Sequence, residues 1–323
     1  MSGAATQNAG RRPAPLWQRA LPWIVTIACF AWLARRIDGA AAREGMSARA
    51  YLMDVFTTVP WHRWLALMIP YSAFFFLVDS TVVWRVVNWF NARVPWREIL
   101  PIRASAYILS ILNEQVGKGA MALYLNRRYG VPGWEVGSSM LFIMFCELLY
   151  LTFWALVGYA IAGDELPHQF RLVPWIALGV FGVFGVWVAF FRGWIAPGAA
   201  LRDRPILKAF REASPLRYLG IAALRSPALL AAVLVYTLAL RLFGVDASFV
   251  HMLGVLPVIF FAAAVPTPMR AAAITIWVVL FPEREAQMSA FGFVMHNFFI
   301  FFNATIGLCF LHRARRELLG ASH

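Results

Sequence analysis

The sequence predicts an all-α, polytopic membrane protein, with about six full spans plus two re-entrant half-helix pairs in an inverted repeat. Three observations predict it. Of 323 residues, 61% are hydrophobic and only 14% charged, whereas a soluble globular chain carries about a quarter charged residues. Mean hydropathy is +0.66. Several apolar runs reach the roughly 20 residues that cross a bilayer core of about 30 Å, and backbone in lipid must satisfy its own hydrogen bonds, so such runs are helices. The alternating pattern of an outer-membrane barrel is absent.

In chain order, residues 1–16 are polar and rich in Ala, Gly and Pro, and are expected to be disordered. A first transmembrane repeat is expected over 17–163, a second over 164–312, and a basic tail over 313–323. Full spans are expected at 20–34, 64–89, 134–162, 172–191, 226–244 and 287–311, with an amphipathic surface piece near 47–58. Arg11, Arg12 and Arg19 precede the first span and Arg35 and Arg36 follow it, with no small-x-small cleavage site, so it reads as a retained signal anchor.

Two apolar stretches are interrupted. Residues 97–128 break at Asn113-Glu114-Gln115, followed by Gly117-Lys118-Gly119. Residues 248–281 break at Pro266-Thr267-Pro268 after Val265. Each half is too short to span comfortably. Short, Gly/Pro-interrupted segments at matching places in two halves point to a transporter site. Both halves read span, span, broken pair, span, and three crossings per half invert the second half relative to the first.

The net charge is +13. The basic residues sit in short loops beside apolar spans, so they fit topology signals and anionic headgroups rather than nucleic acid. Arg11, Arg12, Arg19, Arg93, Arg97, Arg192, Arg202, Arg204, Lys208, Arg211, Arg217, Arg313, Arg315 and Arg316 fall on one side of the membrane. Arg35, Arg36, Arg43, Arg49, Arg63 and Arg171 fall on the other. The richer side is expected to be cytoplasmic, with both termini there. Cys29, Cys146 and Cys309 lie in apolar runs without a CxxC pair and read as small buried hydrophobes.

Ionisable groups at membrane depth are costly and face a cavity or a partner. The candidates are Asp79, Arg85, Arg103, Glu114, Lys118, Glu147, Arg270 and His296. Glu114 and Lys118, four apart, share a helical face: either they pair with each other, or Lys118 and the amides freed by Gly117 and Gly119 hold a phosphate. Arg270 opens the second half-helix after the Pro266/Pro268 turn. A cation there opposes the helix dipole, so an anionic partner is expected, either a lipid phosphate or an acid such as Glu114 or Glu147, with snorkelling to the surface as the alternative. Glu147 has no partner within helical reach and is expected to pair with a basic residue of a re-entrant segment. Asp79 is expected to line the cavity, and Arg85 to reach the interface. His296, Asn297 and Asn303 are expected to bond between helices. Gly179, Gly182 and Gly185, and the Gly133/Gly137 pair, are expected at close helix crossings.

No Ser/His/Asp set, Walker loop or HExxH occurs, so neither ATP hydrolysis nor a catalytic, metal or cofactor site is expected. The segments Ile111-Leu112-Asn113, Val116-Gly117-Lys118-Gly119 and Ala122–Pro132, together with Gly254-Val255-Leu256-Pro257 and Val265-Pro266-Thr267-Pro268, resemble the flippase-like transmembrane family, also called the lysylphosphatidylglycerol synthase transmembrane region. The chain is similar over roughly 20–312. It departs where Met269-Arg270-Ala271-Ala272 stands in place of the family's Gly-Gly-x-Gly and Glu.

The resemblance implies movement of a phospholipid, or of a glycan- or aminoacyl-modified lipid, between leaflets of a bacterial-type inner membrane. The expected substrate contacts are Asn113, Glu114, Gly117, Lys118, Glu147, Pro266, Pro268 and Arg270. The expected partners are membrane lipids with anionic or modified headgroups, a synthase or glycosyltransferase, and further copies of the chain. The alternatives are a membrane-embedded enzyme and a non-catalytic subunit of a lipid or glycan assembly system.

Overall fold

The computed structural model describes residues 16–43, 45–112, 114–196, 198, 200–264, 267 and 270–319, without the side chains of 16–22, 108–120, 164 and 311–319. Asn113, Pro266 and Pro268, and the side chains of Glu114 and Lys118, therefore lie outside the described set, whereas the Gly117 backbone lies within the helix 114–129. Among the described residues there are twelve α-helices and no strand. They are α1 (Leu16–Arg43), α2 (Ala48–Thr58), α3 (Trp61–Phe90), α4 (Trp96–Leu112), α5 (Glu114–Tyr129) and α6 (Gly133–Ala162), then α7 (Val173–Arg192), α8 (Lys208–Glu212), α9 (Pro215–Leu242), α10 (Phe249–Ala264), α11 (Ala271–Leu280) and α12 (Glu285–Leu319).

Five of the described segments are long and apolar enough to cross a membrane: 61–90, 133–162, 168–192, 215–242 and 282–310. The chain is thus of the all-α polytopic membrane class. The expected first span lies within α1, which is not among these five.

Local signals set the ends. Ser47 caps α2 by accepting the Ala50 N–H. Gly193, in the left-handed region, closes α7. Pro215 at the start of α9 needs no N–H partner there. The piece near 47–58 is a helix, as expected. It buries Val55 and packs on α1 and α12.

Both interrupted stretches are helical hairpins. Glu98, in the first turn of α4, accepts hydrogen bonds from the hydroxyls of Tyr124 (3.0 Å) and Tyr129 (2.7 Å) and from the Arg128 guanidinium (3.4 Å), all at the far end of α5. The acid sits at a helix N-terminus and the arginine at a C-terminus, where each complements the dipole. In the second hairpin the His251 ring, at the start of α10, lies 5.3 Å from the Phe281 ring just past α11.

The two open ends sit at opposite ends of α6. The first hairpin runs through 130–132 directly into Gly133. In the second, Ser248 donates to the Glu165 carboxylate (3.1 Å) and His251 Nδ1 meets the Glu165 carbonyl (3.1 Å), beyond the last turn of α6. α6 has 30 residues, about 45 Å at 1.5 Å per residue.

Packing is reciprocal between the halves. α4 lies along α12 as α10 lies along α6, α5 meets α6 as α11 meets α12, α1 meets α12 as α7 meets α6, and α3 crosses α9. Interior prolines match too: Pro70 and Pro227 in α3 and α9, Pro101 and Pro257 in α4 and α10.

Glycine positions differ from expectation. Gly179, Gly182, Gly185 and Gly133 have open space where a Cβ would be, and Gly137 meets only the tip of Ile206. α7 is the outermost long helix, with Trp175, Leu178 and Val183 exposed, so its glycines face outward. The close crossing is between α6 and α10, where a Cβ on Gly158 would lie 2.4 Å from the Gly254 Cα. Small residues permit such backbone approach when no hydrophobic effect drives helices together. Cys146 is buried as expected, whereas Cys29 is half-buried and Cys309 exposed.

Gly158→Ala is therefore expected to separate α6 from α10 and destabilise the fold by about 1–3 kcal/mol, the usual scale of overpacking. Gly182→Ala should leave stability unchanged. Thermal unfolding in detergent compares the two, and equal behaviour would refute the crossing.

Candidate functional site: a buried charge layer

Four helices bring four ionisable side chains together. Asp79 (α3) accepts hydrogen bonds at Oδ2 from the Arg103 Nε–H and the Tyr107 hydroxyl of α4, each at 2.6 Å. Its other oxygen lies 3.5 Å from Arg225 Nη2 on α9. Arg225 Nη1 donates to Glu147 Oε1 of α6 at 3.4 Å. The side chains of Asp79 and Arg225 are 6% and 7% exposed, and that of Arg103 21%. Glu147 is 40% exposed and is the open end of the chain.

Two guanidinium groups and two carboxylates balance. Removing an ion from water costs several kcal/mol, recovered only when partners and hydrogen bonds are in place. Asp79 has two hydrogen-bond donors and the Arg225 ion pair, whereas Arg225 leaves its Nε without a partner. The Arg225 guanidinium also lies 5.9 Å from the Tyr150 ring and that of Arg103 4.8 Å from the Tyr107 ring, both over aromatic faces.

The layer divides two apolar clusters. On α3, Val82, Val83, Val86, Val87 and Phe90 belong to one cluster and Trp64, Met68 and Tyr71 to the other, with Asp79 between. On α9, Tyr218 and Ile221 fall on one side of Arg225, and Leu229 to Leu240 on the other. On α6 the boundary falls between Leu149 and Tyr150, beside Glu147. Arg225 stands ten residues into α9, about 15 Å from that helix end, which is membrane depth.

Of the expected site residues, Glu147 joins this layer. Its partner is an arginine, as expected, but one on a long helix rather than on a re-entrant segment. Asp79 is packed among charges instead of lining open space. Arg270 makes no ion pair with a described acid; its Nη1 donates to the Ala263 carbonyl at 3.2 Å. The dipole conflict at the start of α11 is relieved because the side chain turns back to the negative end of α10. Arg85 is exposed over Trp84 and Trp89. Asn297 bonds the Phe293 carbonyl of its own helix, and His296 Nε2 has no hydrogen-bond partner, so the expected interhelical bonds are not formed by these two.

Arg225 and Tyr107 escape the sequence reading. Starting the fifth span at 226 leaves Arg225 just outside it. The Ser214-Pro215 start signal, weighed more heavily, would have placed it well inside. Outside the layer, Glu285 in the first turn of α12 is bound by Arg36 (2.6 Å) and approached by Arg43 (3.8 Å), tying α1 to α12. A surface pocket of about 380 Å³ at the α6–α7 turn is lined by Tyr159, His168 and Arg171 among others.

Compared with known protein families, curated proteins and solved structures, the chain matches none.

Asp79→Ala would leave Arg103 without its carboxylate and Arg225 with Glu147 alone, and is expected to cost about 3–5 kcal/mol. Glu147→Gln, at the wet end, is expected to cost less than about 1 kcal/mol. Reversible SDS unfolding in mixed micelles measures both. Equal losses would refute the division into a buried core and an open end.

Proposed function

We propose that this protein moves anionic phospholipid, or lipid with a modified anionic headgroup, between the leaflets of a bacterial-type cell membrane. The observation that carries the reading is the charge-balanced layer with one partly open carboxylate, Glu147, on a buried arginine. A buried ion pair is weak evidence for stability, because replacement by apolar groups is often neutral or stabilising. Charge at this depth is a functional hypothesis by default.

The chemistry follows from exchange of one anion for another. A lipid phosphate entering beside Glu147 competes for Arg225, whose Nε is free to donate. Arginine suits a phosphate because its planar fork supplies paired donors. Arg103 stays held by Asp79 and Tyr107 and keeps the local potential positive. Acyl tails remain in the bilayer while the headgroup passes.

Six full spans, counting α1, and two re-entrant hairpins in an inverted repeat are the architecture proposed to do this. Support comes from hairpins opening at opposite ends of α6 and from the reciprocal helix contacts. The resemblance to the flippase-like transmembrane family agrees with it. The arginine distribution supports cytoplasmic termini. No group for ATP hydrolysis is invoked; a gradient, a partner synthase or the lipid's own concentration difference supplies the drive.

Proteoliposomes carrying fluorescent phosphatidylglycerol, quenched from outside by dithionite, test the reading. The protein is expected to accelerate leaflet exchange. Glu147→Gln and Arg225→Lys, both conservative in volume, are expected to slow it about tenfold, the scale of one charge-assisted hydrogen bond. Exchange no faster than in protein-free liposomes, or unchanged in both variants, overturns it.

A further inference from the structure

We propose that each anionic headgroup held at Arg225 is accompanied by a proton carried on Glu147, so that lipid anion and proton move together. The movement rests on the translocation reading; the coupling itself is a property of binding.

The charges of the layer are not held alike. Asp79 is 5% exposed. It is enclosed by the Arg103 Nε–H and the Tyr107 hydroxyl, each at 2.6 Å, and by Arg225 at 3.5 Å. A guanidinium does not give up its proton in a protein. Glu147 differs from all three. Its side chain is 40% exposed, and its contact with Arg225 is 3.4 Å long, against about 2.7–2.9 Å for a well-made charge-assisted bond. Glu147 is therefore the member of the layer free to change its charge.

Charge balance links that change to an incoming anion. With Glu147 ionised, two guanidiniums face two carboxylates, and the layer has no charge to offer. With Glu147 protonated, two guanidiniums face one carboxylate. The excess falls to Arg225, whose buried Nε already lacks a partner. A phosphate diester brings one negative charge and paired acceptors for that fork. Anion and proton thus strengthen each other's binding, and by linkage the effect is reciprocal.

The surroundings of Glu147 enforce the exchange. Leu141, Met144 and Leu148 on the same helix are exposed, so the carboxylate opens beside an apolar face. A carboxylate displaced from Arg225 finds no second cation in contact among the described residues. Arg103 and Tyr107 are committed to Asp79. Tyr150 and Cys146 are its buried neighbours on α6. From α7 and α9, Phe184, Trp187 and Tyr218 pack on Phe145. Lys208 and Arg211 of α8 are paired with Glu135 and Asp203. His251, the titratable residue of α10, meets the Glu165 carbonyl beyond the last turn of α6. The side chains of Glu114 and Lys118 on α5 lie outside the described residues. An uncompensated charge at this depth is costly, and the group neutralises by taking a proton. The proton enters from water with the headgroup and is released when Glu147 regains Arg225 and the lipid leaves. One proton and one singly charged lipid cross, so no net charge moves.

Calorimetry on the detergent-solubilised full chain tests the coupling. The probe is dihexanoyl phosphatidylglycerol, whose diester stays singly charged, titrated in two buffers of unlike ionisation heat so that protons taken up are counted. Wild type is expected to take up about one proton per lipid at neutral pH, and to lose affinity about tenfold per pH unit on the alkaline side. Glu147→Gln is expected to bind without proton uptake, with an affinity that pH leaves unchanged and that is at least about tenfold tighter than wild type in mild alkali. Tight holding of this kind is also why exchange slows in that variant. Arg225→Lys is expected to bind about tenfold more weakly. Wild-type binding without proton uptake overturns the coupling, as does uptake that persists in Glu147→Gln.

Leaflet exchange separates the two proposals. Exchange that needs Arg225 but keeps one rate across pH, with no proton taken up on binding, leaves translocation standing and removes the coupling. Proton-linked binding without any exchange does the reverse.

Discussion

Asp79 lies between two arginines in the interior of a protein built almost wholly of apolar helices, and the rest of the architecture answers to that carboxylate. A lone ion there would be prohibitive, so α3, α4 and α9 must meet at one level, and Arg225 then draws α6 in through Glu147. Hydrocarbon offers apolar faces little preference for one register over another. Directed bonds at 2.6 Å supply the preference. The two apolar clusters, one around Phe142, Phe210 and Tyr218 and the other around Trp64, Tyr236 and Trp277, are separated by this layer.

The hairpins depend on the same economy. Each is clasped where its ends meet, by Glu98 in one and by the His251–Phe281 contact in the other. Arg270 donates to the last turn of α10. Gly158 and Gly254 let α6 and α10 approach closely enough to bury the second hairpin. The Arg36–Glu285 pair holds α1 against the start of α12, at the end where that hairpin opens.

Much of the fold is legible in the residues. Long apolar runs mark α3, α6, α7 and α12 within a few positions, and the breaks expected at Asn113 and after Val265 fall outside the described residues. The site is legible only in part. Asp79, Arg103 and Glu147 stand out as charges in apolar runs, while Arg225 does not, because it sits among Arg217, Ser226 and Pro227, which read as the edge of a span. Tyr107 carries no charge to betray it. Gly179, Gly182 and Gly185 advertise a crossing that Gly158 and Gly254 make instead, since spacing along one helix does not say which face meets a neighbour.

By itself, then, the sequence determined the membrane class, the helices and their interruptions, because hydropathy and Gly/Pro breaks act within a dozen residues of chain. Which charges meet was decided only by tertiary structure. Asp79, Arg103, Glu147 and Arg225 are far apart in sequence and share a level only because four helices of different origin are packed side by side. The left-handed turn at Arg270 and the unsatisfied nitrogen of His296 were likewise invisible until α11 and α12 were set against each other. Hydrogen-bond satisfaction is a property of the assembled surroundings, not of any one segment.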